Sequence, residues 1–147
     1  MAASKPDVAA LVERMPETDQ PGKASKFTGP APAEAEKIFS EILAGGRGSI
    51  LELISLVRDP GDPEFKNYKA GYVLHGLAIF LGRPGQEDQR RMFADALASQ
   101  LSNAAHSIAA RGSLLHELQV AGGKEIVGAV GKELQDFLRV FLTYELA

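Results

Sequence analysis

The sequence predicts an all-α protein, and three observations carry that prediction. From Pro32 onward, apolar residues recur at the spacing of one helix face, and glycine and proline interrupt these runs. No segment alternates polar and apolar residues as a half-buried strand would. Two segments 41 residues apart share their pattern of apolar residues and glycines. At 147 residues, 45% of them apolar and 24% charged, the chain has the length and composition of an ordinary folded domain.

The first thirty residues differ in composition from the rest. Asp7 to Arg14 has the pattern of a short helix, whereas the stretch from Pro16 to Pro30 is polar and punctuated by proline and glycine. We therefore divide the chain into a partly irregular N-terminal arm, residues 1–30, and a helical repeat domain, residues 31–147. The arm is expected either to extend over the body or to be mobile.

The body begins with two predicted helices. The first runs from Pro32 to Gly45-Gly46, and the second ends before the turn at Asp59-Pro60. Ser49 and Glu52 have the spacing of a capping box, which predicts a start near Ser49, although Gly46 could cap an earlier start. Their expected core residues are Ala35, Ile38, Phe39, Ile42 and Leu43 in the first helix, and Ile50, Leu53, Ile54 and Val57 in the second.

Five further helices follow in the prediction. Asp62 suits the N-cap and Pro63 the first position of the third helix, which continues to Leu81. The others are expected at about 86–102, 106–121, 124–134 and 136–147. The expected core residues are Ala70, Val73, Leu74, Leu77 and Leu81 in the third helix, and Phe93, Ala96, Leu97 and Leu101 in the fourth.

The strongest signal is an internal repeat. At a shift of 41 residues, Gly71, Leu74, His75, Leu77 and Gly82 match Gly112, Leu115, His116, Leu118 and Gly123. A period near 41 with two helices in each unit is typical of stacked helical hairpins, each of which must pack on a neighbour to bury its apolar face.

This pattern resembles the HEAT-repeat family, within the HEAT/armadillo-like helical-hairpin repeats. A unit of that family has a helix A, a turn with Asp and Pro, and a helix B; residues 49–82 fit this order, with Asp59-Pro60 at the turn. Residues 86–123 and 124–147 would form two more units, although the turn after Ser102 lacks the Asp-Pro signal and the last unit is short. The resemblance implies a short right-handed α-solenoid of about three stacked helical hairpins, plus an N-terminal helix and extended arm.

Composition excludes several functions. The chain has no cysteine, which rules out disulfides, thiolate nucleophiles and thiolate metal sites. A formal net charge of −3 without a basic run does not favour nucleic acid as a partner. No apolar segment approaches the roughly 20 residues needed to cross a bilayer, so we expect no membrane partner and a cytoplasmic location.

The histidines are the natural catalytic candidates. His75 and His116 occupy equivalent positions in successive repeats, where the simplest interpretation is a side chain that bonds a neighbouring carbonyl. Glu117 follows His116, but the second histidine of a zinc-protease helix is missing. No nucleophile elbow or phosphate-binding loop is present either. We therefore expect no enzyme, with no catalytic residues, no metal site and no cofactor.

The third helix carries a second apolar stripe opposite its core side: Tyr68, Tyr72, His75 and Ile79. A helix that is apolar on both sides is either buried all round or exposes an adhesive face. At the 41-residue shift the stripe becomes Ala109, Ser113, His116 and Val120, so the large aromatic side chains are local to the third helix. Whether the arm, for example Phe27, covers these tyrosines or leaves them exposed stays open from sequence.

The resulting functional hypothesis is a protein–protein interaction or scaffold module. In HEAT-like proteins the B helices line the concave face, so the resemblance implies that Tyr68, Tyr72, His75, Ile79 and His116 contact a protein partner. The alternative is a HEAT-like enzyme or lyase-type accessory protein with a small-molecule pocket near His75 and His116. The identity of the partner and the oligomeric state do not follow from the sequence.

Overall fold

The computed structural model describes residues 4–15, 32–66 and 68–122, together with the helical positions 131, 135 and 139. Within these residues every regular element is a helix and no strand occurs, which confirms the all-α prediction. The helices are α1 (Val8–Arg14), α2 (Pro32–Ala44), α3 (Gly46–Leu56), α4 (Lys69–Leu81), α5 (Glu87–Gln100) and α6 (Ile108–Ala121). The arm beyond Met15, with Phe27, and the bounds of the last two predicted helices lie outside the described residues.

The chain forms two compact units, residues 1–77 and 78–147, and the boundary falls within α4. In the first unit, α1, α2 and α3 pack closely on one another; in the second, α5 packs on α6. Among the described helices, α3 is therefore paired with α1 and α2, whereas the repeat pattern pairs it with α4. The predicted core residues are buried, with the exception of Ala35, which is half-buried.

Helix α1 belongs to the core of the first unit, although it lies within the predicted arm. Asp7 caps it, since its carboxylate accepts a hydrogen bond from the backbone N–H of Ala10 at 3.1 Å. Its apolar residues are almost fully buried: Val8, Leu11, Val12 and Met15. Because a helix this short is marginal alone, its packing against α2 and α3 stabilises it.

The junction between α2 and α3 corrects the predicted capping box. Only Gly45 separates the two helices, and Gly46 opens α3 with a φ of 68°, in the left-handed region that glycine enters without strain. Ser49 therefore lies inside α3, fully buried, and its hydroxyl has no hydrogen-bond partner. The earlier start at Gly46, which the sequence left open, is the one observed.

The predicted start of the third helix at Pro63 was wrong. Helix α4 begins at Lys69, and a turn of residues 57–66 precedes it. Asp62 caps this turn instead of a helix, because its carboxylate accepts from the N–H of Glu64 at 2.8 Å. Arg58 fixes the turn from the other side by donating to the carbonyls of Ser55 and Val57 and pairing with Glu64 at 3.4 Å.

The second unit follows the prediction closely at α5 and α6. Ser107 caps α6 by accepting from the N–H of Ala110 at 3.0 Å. Glu87 lies in the first turn of α5; hydrogen bonds from its own backbone N–H and from the N–H of Gly85 lower the pKa of this carboxyl below its ordinary value. Both features satisfy backbone donors that a helix start otherwise leaves unpaired.

Candidate functional site: the outward face of helix α4

The predicted stripe lies on the side of α4 opposite the core. At 100° per residue, Tyr68, Tyr72, His75 and Ile79 fall on one face, and the buried residues lie opposite. The buried set is Ala70, Val73, Leu74, Leu77, Ala78 and Leu81, each no more than 5% exposed. We call the stripe the α4 face.

Exposure along the α4 face is greatest at its two ends. Tyr68 is 45% exposed and Ile79 is 56% exposed, whereas Tyr72 and His75 between them are half-buried. The tyrosine at the start of the face is therefore exposed, and the part of the arm that the sequence offered as its cover lies outside the described residues. Tyr72 and His75 contribute the partly enclosed middle of the face.

Two contacts within the first unit fix the start of the α4 face. The carbonyl of Tyr68 accepts a hydrogen bond from the N–H of Tyr72 at 3.1 Å, so Tyr68 is continuous with the helix. The ammonium of Lys69 donates to the carbonyl of Glu13 at 3.2 Å and lies 4.0 Å from its carboxylate, which joins the start of α4 to α1.

A close approach at the edge of the α4 face, one turn after Tyr72, brings α4 against α2. Gly76 faces the ring of Phe39, and a β-carbon at position 76 would lie 2.5 Å from the Cζ atom of that ring. Lack of space therefore favours glycine at this position. The backbone conformation does not, because Gly76 lies within α4 and its φ is not positive.

The equivalent stripe of the second repeat is also exposed. Ala109, Ser113, His116 and Val120 on α6 are all solvent-accessible, Val120 to 39%. They offer much smaller side chains than the α4 face, as the sequence comparison indicated. His116 therefore belongs to an exposed surface of α6, and its neighbour Glu117 is buried at 6% exposure.

Sequence reasoning did not predict the burial of Glu117 or a cleft in the first unit. The cleft has a volume of about 530 Å³; Ala9, Val12 and Glu13 of α1 form one wall, and Leu56, Arg58 and Ala70 lie among its other lining residues. A signal for Glu117 existed, because it lies between apolar residues at helical spacing from Leu114. No such signal existed for the cleft, because its walls come from separate parts of the chain.

Three charged residues that line the cleft, Glu13, Arg58 and Glu64, take part in ion pairs. Arg58 is engaged by Glu64 at 3.4 Å and by Asp62 at 4.0 Å, and Glu13 lies 4.0 Å from Lys69. Ala9, Val12, Leu56 and Ala70 supply the apolar lining of the cleft. Neither His75 nor His116 lines this cleft, so a small-molecule pocket near those histidines remains a prediction from the sequence.

Comparison of the chain with protein-family models, with curated proteins and with solved structures found no match. Among the residues that the structure describes, no helix combines the length and apolar character required to cross a membrane. A functional assignment therefore depends on the surfaces of the chain itself.

Proposed function

We propose that this protein is an interaction module that binds a protein partner through the α4 face. The observation that carries the proposal is the exposure of Tyr68 and Ile79, 45% and 56%, on a helix whose opposite side is core. Exposing the apolar surface of tyrosine and isoleucine to water costs free energy. A rigid ring with a polar tip is also a favoured contact at protein interfaces.

The absence of charge on α4 strengthens the proposal. After Lys69, the helix contains no acidic or basic residue other than His75. Surface helices of monomeric proteins normally carry charged residues on the solvent side, because these keep the face hydrated. A continuous uncharged face with exposed large side chains at both ends is typical of a surface that another molecule covers.

The finer architecture that we propose is a HEAT-like array of helical hairpins. The close packing of α5 on α6 supports a hairpin over residues 86–123. The burial pattern of the repeat supports it too: Val73 and Leu114 are equivalent and both buried, and so are Leu77 and Leu118. In such an array the α4 face would be one strip of a binding surface built from successive B helices.

The test compares two isoleucines of nearly equal exposure, Ile79 and Ile108. Ile79→Asp, alone and with Tyr68→Asp, places charge on the α4 face, and Ile108→Asp makes the same change on α6, where the side chain is 58% exposed. Tagged full-length proteins are used to capture partners from the native source, and the captured proteins are quantified by mass spectrometry.

We expect one or more proteins to be captured equally by the wild type and Ile108→Asp, and to be lost with Ile79→Asp. Circular dichroism should show equal helix content in all variants, because each change is at an exposed site. Equal capture of these proteins by all variants would contradict the proposal that the α4 face is the binding surface.

A further inference from the structure

The turn before α4 already contains the first contacts of a helix start. The carboxylate of Asp62 accepts a hydrogen bond from the N–H of Glu64 at 2.8 Å, and its carbonyl accepts one from the N–H of Phe65 at 2.9 Å. A side chain that accepts from the second helical residue, with a carbonyl that accepts from the third, is the arrangement of a helix N-terminus. Pro63 takes the first position of this turn, which suits a residue without an N–H.

This helix start does not continue into α4, which begins only at Lys69. Arg58 ties the turn to the end of α3 instead, since its guanidinium lies 3.4 Å from the carboxylate of Glu64 and 4.0 Å from that of Asp62. The side chains in both pairs are partly exposed, so each pair contributes little stability. Weak contacts therefore hold a turn at the residues where the sequence favours a helix.

A helix that continued from Pro63 into α4 would enlarge the α4 face. Phe65 lies seven residues, about two turns, before Tyr72, so its ring would fall on the same side as Tyr68 and Tyr72. In the turn, Phe65 is half-buried and belongs to no helix. The continued helix would thus add another large aromatic ring to a face that is already exposed at Tyr68.

We propose that the turn of residues 62–66 converts to a helix that extends α4, and that this conversion regulates the α4 face. The inference rests on the proposed function of that face. The cap at Asp62 serves both states, and the conversion requires Arg58 to release its two partners. The helix gains hydrogen bonds in return, beginning with the N–H of Lys66, which donates to no described residue in the turn. A partner that contacts Phe65 on the α4 face binds the helical state more tightly and so favours it.

Arg58→Gln removes both ion pairs of the turn and tests the conversion in the full-length protein without a partner. Arg14→Gln is the matched control, because Arg14 of α1 pairs with Glu41 of α2 at 3.4 Å instead of with a residue of the turn. Backbone NMR measures the Cα chemical shifts of residues 64–66 and the hydrogen exchange of the Lys66 amide.

We expect Arg58→Gln to move these shifts towards helical values and to slow the exchange of the Lys66 amide by about tenfold. Arg14→Gln should change neither. Adding Asp62→Ala to Arg58→Gln should cancel the gain, because the helix then loses its cap. Shifts in Arg58→Gln that stay at their wild-type values, or that move to those of an unfolded chain, would overturn the proposal.

Partner capture distinguishes this inference from the proposed function. Arg58→Gln should capture about threefold or more of the protein that Ile79→Asp loses, and adding Phe65→Ala should remove the increase. Equal capture by Arg58→Gln and the wild type, with loss in Ile79→Asp, would rule out the regulation and leave the α4 face as the binding surface. A helical gain in Arg58→Gln without any loss of capture in Ile79→Asp would instead contradict the proposed function, and the regulatory role with it.

Discussion

Phe39 on α2 and Gly76 on α4 touch so closely that position 76 has no room for a side chain. A β-carbon there would lie 2.5 Å from Cζ of the ring and 3.2 Å from Cε1. The ring is itself 7% exposed and enclosed in the core of the first unit, so it has little freedom to move aside. This contact brings α4 against α2 at the edge of the α4 face, next to Tyr72.

Gly76→Ala should therefore destabilise the protein although alanine is the better helix former. We expect the free energy of unfolding to fall by about 1–3 kcal/mol, as in other overpacked cores. Gly71→Ala is the control on the same helix, where a β-carbon meets nothing within 4 Å. That change should raise stability by about 0.5 kcal/mol. Chemical denaturation measures both, and equal effects of the two changes would contradict the close contact.

Ser49→Ala should stabilise the protein. The hydroxyl of Ser49 is buried without a hydrogen-bond partner, so its removal eliminates a desolvation cost of about 1 kcal/mol. Ser55→Ala on the same helix is the matched control, because Ser55 donates to the carbonyl of Glu52 at 2.6 Å and is exposed. Thermal unfolding should show a larger gain at position 49 than at position 55. A loss at position 49 would mean that its hydroxyl is satisfied.

Leu11→Ala tests whether α1 is part of the core. Leu11 is 5% exposed, so truncation should cost about 2–3 kcal/mol of unfolding free energy. Leu56→Ala makes the same change where the side chain is 38% exposed, and should cost less than about 1 kcal/mol. Chemical denaturation, followed with the same probe, measures the unfolding free energies of both variants. Costs of similar size would show that α1 contributes little to the stability of the first unit.

Glu87 should make the start of α5 sensitive to acid. Hydrogen bonds from its own N–H and from Gly85 lower the pKa of the carboxyl below 4.5, so ionised Glu87 stabilises the folded state. A lowered pKa gives a contribution that is present above the unfolded value and is lost as the pH falls through the folded value. The stability advantage of the wild type over Glu87→Gln should therefore be present at neutral pH and disappear in acid. Denaturation across that pH range measures it, and a constant difference would contradict the assignment.

Much of the fold could be predicted from local pattern. The helical periodicity placed α2, α5 and α6 to within two or three residues, and predicted the buried residues of α3 and α4. The sequence placed the stripe opposite the core side of α4, because a residue's direction on a helix follows from its position in the sequence, and left its exposure open. These features depend on contacts only a few residues apart.

The capping box at Ser49 and the predicted start of α4 at Pro63 differ from the structure for a common reason. Ser49 and Asp62 both have side chains that cap helices, and the sequence context of each fits a cap. In the structure Gly46 opens α3 three residues before Ser49, and Arg58 fixes a turn around Asp62 that delays α4 to Lys69. Both outcomes depend on backbone geometry and on side chains outside the capping motif.

The sequence by itself determined that the chain is helical, which residues form its apolar faces, and that one helix has an uncharged second face. The side of a helix on which a residue lies and its preference for burial both follow from the local sequence. The 41-residue repeat makes these patterns easier to detect. Only the tertiary structure decided that α1 completes the first unit, that Gly76 must be glycine, and that Tyr68 and Ile79 remain exposed. These features depend on contacts between segments that are distant in the chain. The space available at such a contact is set by the side chains of both segments.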